Sequence, residues 1–292
     1  MPEPDFIGLD WGTSSFRAYL ADADGRALAT LPDGRGALTL GAGEHEAYLG
    51  ERLAGWPRLP IYACGMVGAK QGWREAPYVA CPAGLAEIAA ACVTISCGFG
   101  DVHIAPGVRG VDGAGAPDVM RGEETQLLGA GADGVFVLPG THSKWARVEG
   151  GRIVGFETFM TGEAFAVLKT HSVLGRMMAP EQPGAGFARG VDAARGLARP
   201  GDLLHAIFAA RTFGLFDTLP RDQLGEYLSG LLIGAEILAG ARGATRAVAL
   251  GSAALSARYA EAGTRLGVEI LPGPPDVALQ GLAALRRQAG PH

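Results

Sequence analysis

The 292-residue chain has little lysine and no concentration of positive charge. Lys70, Lys144 and Lys169 are its only lysines, and the formal net charge is −5. Duplex nucleic acid recognition needs a dense basic face to neutralise phosphates, so nucleic acid is not an expected partner. Cysteine is also sparse. Cys64, Cys81, Cys92 and Cys97 form no CxxC and accompany no paired histidines, which argues against a zinc framework and predicts buried, reduced thiols. The opening Met1-Pro2-Glu3-Pro4-Asp5 has no positive region and no long apolar stretch behind it, unlike a secretory signal. The longest apolar helix-like run, 228–241, is interrupted by Glu236 and is too short to cross a bilayer. No membrane segment and a cytoplasmic location are therefore expected. The common nucleotide signatures are missing too. No GxxxxGK[ST] occurs, which excludes a P-loop enzyme, and no GxGxxG follows a predicted strand, which argues against a dinucleotide fold.

What is present suits a globular protein. Hydrophobic residues make up 48% and charged residues 19%, and the length is comfortable for two lobes. Residues 6–11 read as a strand, 12–15 as a turn and 16–21 as a returning strand, with Asp24-Gly25 turning into a third strand at 27–30. A helix is predicted over 44–55, a buried strand over 60–64, and an ordered loop without regular structure over 65–82. A helix over 84–92, a strand over 102–105 and a helix over about 120–131 follow. The opening pattern then recurs: strand 135–138, turn 139–143, strand 144–149, a Gly150-Gly151 turn and strand 152–158. Helices are predicted from 162, 202 and 222. A strand at 247–250 leads into a helix to about 262, and a strand at 268–271 precedes a closing helix from 276. Two lobes are thus expected, 1–131 and 132–292, with the last helix, 276–288, packing back at their junction.

The two hairpin turns are the candidates for phosphate binding. A glycine-containing turn between strands can aim backbone amides at phosphate oxygens, and hydroxyls add donors. The first turn carries Asp10, Gly12, Thr13 and Ser14, with Arg17 on the returning strand; the second carries Gly140, Thr141, His142, Ser143 and Lys144. An aspartate at a strand end followed by hydroxyl residues suits a magnesium ion held partly through water, which makes Asp10 the metal candidate. Either turn alone could be an ordinary hairpin; two matched turns, one opening each half, favour nucleotide binding.

These residues carry a family resemblance. Asp10-Trp11-Gly12-Thr13 and residues 139–145 resemble the two phosphate loops of the actin–hexokinase–heat-shock-ATPase superfamily, and Gly251-Ser252-Ala253 resembles its adenosine-side motif. The resemblance implies an α/β, two-lobed actin-like ATPase (ribonuclease H-like) fold, each lobe a mixed sheet with flanking helices. Longer strings narrow the match: GMVGAKQGWREAPYVACP at 65–82, DVMRGEETQLLGA at 118–130, LPGTHSKW at 138–145 and FMTGEAFAVL at 159–168 are similar to the 2-dehydro-3-deoxygalactonokinase family. That family implies phosphorylation of a sugar acid, 2-dehydro-3-deoxy-D-galactonate, on its terminal C6 hydroxyl in galactonate catabolism, with ATP and Mg2+. Alternatives are a kinase of another sugar acid or an amino sugar on the same fold, or a nucleotide-binding sensor without transfer. A homodimer is compatible with either.

In related kinases the base is an aspartate in a Gly-Asp-Gln-Gln string that opens a helix. Here Gly122-Glu123-Glu124-Thr125 holds that place. Glu123 stands at the aspartate position and is preferred; Glu124 is the alternative, and both could simply complement a helix N-terminus. Arg121 could pair a carboxylate or hold the substrate's acid group. Met66, Lys70, Gln71 and Trp73, with Arg74 beside them, are the substrate-side residues of the 65–82 loop; for Trp73 a packing anchor is the slightly preferred reading. Thr161, Gly162 and Glu163 open a helix after the second turn, where Glu163 is either a helix-start carboxylate or a cleft residue.

Overall fold

The computed structural model describes residues 2–199 and 201–290. In chain order its strands are β1 (Phe6–Trp11), β2 (Phe16–Ala21), β3 (Ala27–Leu31), β4 (Ile61–Cys64), β5 (Tyr78–Ala80), β6 (Ala83–Gly84), β7 (Val93–Cys97), β8 (Gly100–Ile104), β9 (Gly107–Val111), β10 (Pro117–Met120), β11 (Gly134–Leu138), β12 (Ser143–Glu149), β13 (Arg152–Phe159), β14 (Arg246–Ala249) and β15 (Glu269–Pro272). The helices are α1 (Glu44–Arg52), α2 (Leu85–Ala90), α3 (Glu123–Ala130), α4 (Thr161–His171), α5 (Gly186–Ala194), α6 (Asp202–Ala206), α7 (Ala209–Leu215), α8 (Leu224–Gly240), α9 (Ala253–Leu266) and α10 (Val277–Gln288).

The chain divides into two compact units. Unit 1 comprises Met1–Asp133, Ala146–Phe156 and Pro274–His292; unit 2 comprises Gly134–Trp145 and Glu157–Gly273. In unit 1 the main sheet runs β3-β2-β1-β4-β8-β7. β1 pairs antiparallel with β2, and β2 with β3, whereas β4 is parallel to β1 and β8 is parallel to β4. Apolar side chains on β1, β2 and β4 close a core around Trp11, Phe16, Leu49 and Ile104. In unit 2 the order is β15-β14-β11-β12-β13, and β14 is parallel to both β11 and β15. Each unit therefore repeats three successive neighbouring strands followed by two parallel strands on the side of the first. That repeat is the actin-like, ribonuclease H-like α/β fold, as the hairpin pattern predicts.

Helix packing relies on close backbone approach. A Cβ on Gly129 of α3 would lie 1.8 Å from the Val277 oxygen of α10, and one on Gly281 of α10 would lie 1.9 Å from the Thr125 oxygen of α3. In unit 2, α5 and α8 meet in the same way, since a Cβ on Gly190 would lie 2.1 Å from the Tyr227 oxygen and one on Gly230 2.1 Å from the Phe187 oxygen.

Several local expectations change. The helix expected from about residue 120 begins at Glu123, because residues 117–120 form β10, antiparallel to β9. The 65–82 loop contains β5, which pairs with β9. Residues 93–97 return along β8 as an antiparallel strand, and residues 186–194 form α5. The glycines of α5 look like loop signals, but they are contact surface for α8. The four cysteines are free, but only Cys64 is fully buried; Cys81, Cys92 and Cys97 are half-buried. No described helix is long and apolar enough to cross a membrane.

Candidate active site

In unit 1 three backbone turns meet behind the end of β1. Asp10 lies in register with Cys64 at the end of β4. The turn after β1 folds on itself, with the Gly12 N–H donating to the Ser15 oxygen at 2.9 Å and the Gly12 oxygen accepting from the Ala37 N–H at 2.9 Å. The 34–37 loop backs this turn so closely that a Cβ on Gly36 would lie 2.2 Å from the Thr13 oxygen. Trp11 Nε1 ties the same loop down by donating to the Arg35 oxygen at 3.0 Å. Thr13, Ser14 and Arg17 are left exposed. Gly65, at φ +92°, passes over β1, where a Cβ would lie 2.8 Å from the Trp11 oxygen. Gly122, at φ +101°, stacks on Gly65 and turns the chain into α3. Both positions combine a left-handed backbone with crowding, which only glycine tolerates.

The corner so formed collects acids. Glu124 is fully buried; its Oε2 accepts the Gly122 N–H at 2.7 Å and its Oε1 accepts the Thr125 hydroxyl at 2.8 Å. Burial first, and the Glu123 charge second, push its carboxyl up to about 7. Glu123 is half-buried and accepts the Arg121 N–H through Oε2 at 2.9 Å. Burial raises the Asp10 carboxyl, and Arg17 partly offsets the effect. The Cys64 thiol is pushed well up by burial and by the charges of Asp10 and Glu124, so it is an inert packing group.

Arg121 runs from this corner along the 66–78 segment. Its Nη2 donates to the Ala76 oxygen at 2.8 Å, and its guanidinium lies 4.3 Å from the centre of the Tyr78 ring. Nε and Nη1 are buried without a hydrogen-bond partner among the described residues. Nε–H shares its edge with Nη2 and Nη1 lies on the Cδ side, so these are two separate donors, each able to meet an acceptor such as a carboxylate oxygen. Met66 is half-buried beside them in a short 3-10 turn, and Lys70, Gln71 and Arg74 are exposed. Trp73 stacks on His45 at 6.1 Å between ring centres and meets Trp11 edge-on at 6.2 Å, so it anchors the loop on the unit 1 core.

In unit 2 the second turn joins β11 to β12. Thr141 and His142 are exposed, whereas Ser143 and Lys144 are buried. Lys144 Nζ donates to Thr158 Oγ1 at 2.8 Å. The start of α4 presses on the turn: a Cβ on Gly162 would lie 2.3 Å from the Gly140 oxygen, the Glu163 N–H donates to the Thr141 oxygen at 3.0 Å, and the Glu163 carboxylate pairs with His142. Gly251 lies against Pro139, and Ser252 caps α9 by accepting the Leu255 N–H at 3.4 Å. A cavity of about 240 Å³ opens beside Gly140, with Phe165, Leu232, Ile233 and Leu255 as apolar walls. Two ion pairs border it, Arg258–Glu226 and Lys169–Glu181. An apolar slot of this size with charged borders next to a glycine turn has the form of a nucleoside site.

The family profile described as 2-keto-3-deoxy-galactonokinase matches residues 10–285. The chain belongs to the 2-keto-3-deoxy-galactonokinase family. Among its relatives is a Rhizobium meliloti (strain 1021) protein named as a probable 2-dehydro-3-deoxygalactonokinase, 38% identical over 98% of both chains. Another is the 2-dehydro-3-deoxygalactonokinase of Escherichia coli (strain K12), 34% identical over 94% of both. A crystal structure of a Sinorhizobium meliloti protein assigned to the same kinase superposes with a TM-score of 0.88 at 36% identity, covering 98% of this chain and 97% of that one. The family strings at 65–82 and 118–130 are the ones that build the acidic corner and the Arg121 edge of unit 1. Sequence reasoning on this 2-keto-3-deoxy-galactonokinase family member missed the cavity walls on α4, α8 and α9. It also read Glu236 only as a break in an apolar run. The usable signal was there, because an acid inside an otherwise apolar helix must find buried partners.

Proposed function

We propose that the protein is a sugar-acid kinase that transfers the γ-phosphoryl group of ATP to the C6 hydroxyl of 2-dehydro-3-deoxy-D-galactonate, releasing ADP and the 6-phosphate, in galactonate catabolism. The observation that carries the reading is the pair of carboxylates opening α3 beside Arg121, whose Nε and Nη1 have no hydrogen-bond partner among the described residues, in a chain of this family. Residues 1–131 supply the acceptor side and the first phosphate turn, and residues 132–292 the second phosphate turn and the adenosine side. Arg121 binds the substrate carboxylate, and Met66, Lys70 and Gln71 complete that side, with Trp73 holding their loop.

Glu123 is the base. It takes the proton of the C6 hydroxyl as that oxygen attacks the γ-phosphorus and the bond to the ADP oxygen breaks. Glu124 has both oxygens engaged by Gly122 and Thr125, so it holds the turn on which Glu123 stands. Thr13, Ser14 and Arg17 of the first turn and Gly140, Thr141 and His142 of the second bind phosphate. Lys144 and Ser143 support the second turn from below, and Gly251 and Ser252 flank the nucleoside.

A half-buried carboxylate next to exposed hydroxyls is a hard-oxygen set that fits magnesium, which takes one or two carboxylates and otherwise phosphate and water. Asp10 would hold Mg2+, and the ion would neutralise charge on the phosphates.

The test is ATP consumption by the purified protein with 2-dehydro-3-deoxygalactonate, its gluconate epimer and galactonate, with the product weighed for one added phosphate. Turnover that favours the galactonate-derived keto acid is expected. Nucleotide binding without turnover of either keto acid would sink the substrate assignment.

A further inference from the structure

Glu236 lies in the middle of α8, 2% exposed, and the transfer chemistry does not use it. Every group on it is a donor. Trp145 Nε1 donates to Oε1 at 2.9 Å, the Tyr259 hydroxyl donates to Oε2 at 2.7 Å, and the Thr161 and Ser143 side chains bond it as well. An indole N–H cannot accept, and a carboxylate surrounded by donors is the matching acceptor. This arrangement fixes the direction of the next bond. The Tyr259 proton is committed to Glu236, so the Ser143 proton is the one left to serve the carboxylate and the Tyr259 oxygen, which lies 3.0 Å from Ser143 Oγ. Ser143 Oγ is then free to accept, and the Gly140 N–H points at it from 3.4 Å. The result is a relay from the Gly140 amide through Ser143 to Glu236, both directly and by way of Tyr259. It joins α8 and α9 to the β11–β12 turn. Thr161 brings in the first turn of α4, which also presses on Gly140 and Thr141.

We propose that Glu236 is a positioning residue for nucleotide binding: through Tyr259 and Ser143 it sets the orientation of the 139–142 turn. The proposal rests on the reading that this turn binds the phosphates of ATP. Burial raises the Glu236 carboxyl, and the donors from Thr161, Tyr259 and Trp145 counter that, in keeping with an acceptor held in place by its neighbours. Glu236→Gln keeps the shape but places an amide donor against one of these donors. The Tyr259 hydroxyl must then turn toward Ser143, and the relay reverses. Tyr259→Phe keeps the ring and its packing and removes the branch of the relay that runs through the phenol.

The experiment is calorimetric titration of the wild type, both single variants and the double variant with a non-hydrolysable ATP analogue. KM for the sugar acid at saturating ATP is measured alongside. The expected result is analogue binding weakened about tenfold in each single variant, equal to ~1.4 kcal/mol. The sugar-acid KM stays within about twofold, a split that general destabilisation would not give. The double variant should lose no more than the weaker-binding single variant, since the Tyr259 branch ends on Glu236. Wild-type affinity in either single variant, losses that add in the double variant, or equal weakening of nucleotide and sugar acid would each overturn the proposal. Because the titration needs no acceptor, a wild type that binds the analogue but does not turn over the sugar acid would count against the kinase reading alone. A wild type that does not bind the analogue would overturn both.

Discussion

Glu123 and Glu124 are adjacent in sequence yet differ in surroundings, and that difference sets what each can do. Glu123→Gln should lower kcat by about 10²–10⁴, the range for loss of a positioned base, with little change in ATP affinity; steady-state kinetics checks it. Glu124 should instead be visible in stability. Its folded value of about 7 lies above the ordinary 4.5. Below the ordinary value the group is neutral in both states and contributes nothing. Between the two values the unfolded chain releases the proton while the folded protein keeps it, so stability falls as pH rises. Above the folded value the penalty is complete, on the order of 3 kcal/mol. Glu124→Gln should therefore lose less stability than the wild type between acidic and neutral pH, which urea unfolding at a series of pH values would show. Equal slopes would refute the burial argument. For Arg121→Lys we expect a rise in sugar-acid KM of at least about tenfold at near-constant ATP affinity, because an ammonium cannot bond the Ala76 oxygen, lie on the Tyr78 ring and still present further N–H donors to a carboxylate. Much of this corner is legible in the sequence, since Asp10, Gly122, Glu123 and Glu124 sit at strand or helix ends in short local patterns. For Glu236 the need for buried partners is legible but the partners are not, because Trp145, Tyr259 and Thr161 come from distant parts of the chain and only folding brings them together.

The elements that carry these residues are held by helices in close backbone contact. Gly281 of α10 meets the Thr125 oxygen of α3, one residue after the acid pair. Gly281→Ala should push α3 away, destabilise the protein by about 1–3 kcal/mol and lower kcat together with stability. Gly230→Ala crowds α8 against α5 by a similar amount and should destabilise comparably without changing the sugar-acid KM, since the acceptor-side residues lie on other elements. Thermal unfolding and kinetics on the two variants would separate the cases. The same contacts explain where element reading fails. Strands β1, β2, β11, β12 and β13 announce themselves by apolar runs and tight turns. Helix α5 does not, because its glycines punctuate the sequence like a loop while serving as a flat face for α8. Strands β7, β9 and β10 are short and partly exposed, so their alternation is weak and only pairing with neighbours defines them.

At the scale of the whole molecule, unit 1 is discontinuous: α10 and the far ends of β12 and β13 belong with the first part of the chain. Native-state hydrogen exchange should therefore show the amides of α10 opening together with those of α3, distinct from the helices of unit 2. Exchange of α10 in step with α8 or α9 would contradict the division. Cooperation of this kind is invisible in local patterns, since nothing within 277–288 tells which earlier segment it will cover. The placement of α10 also bears on how the protein is made. A ribosome delivers α3, with both carboxylates, long before the helix whose glycine seats it. Unit 2, by contrast, is complete in sequence when residue 273 emerges. During synthesis unit 2 can therefore settle first, while the acidic corner waits for residues 277–288. A chain stopped short of α10 would then carry a settled unit 2 beside an α3 whose glycine-lined seat has not yet been made.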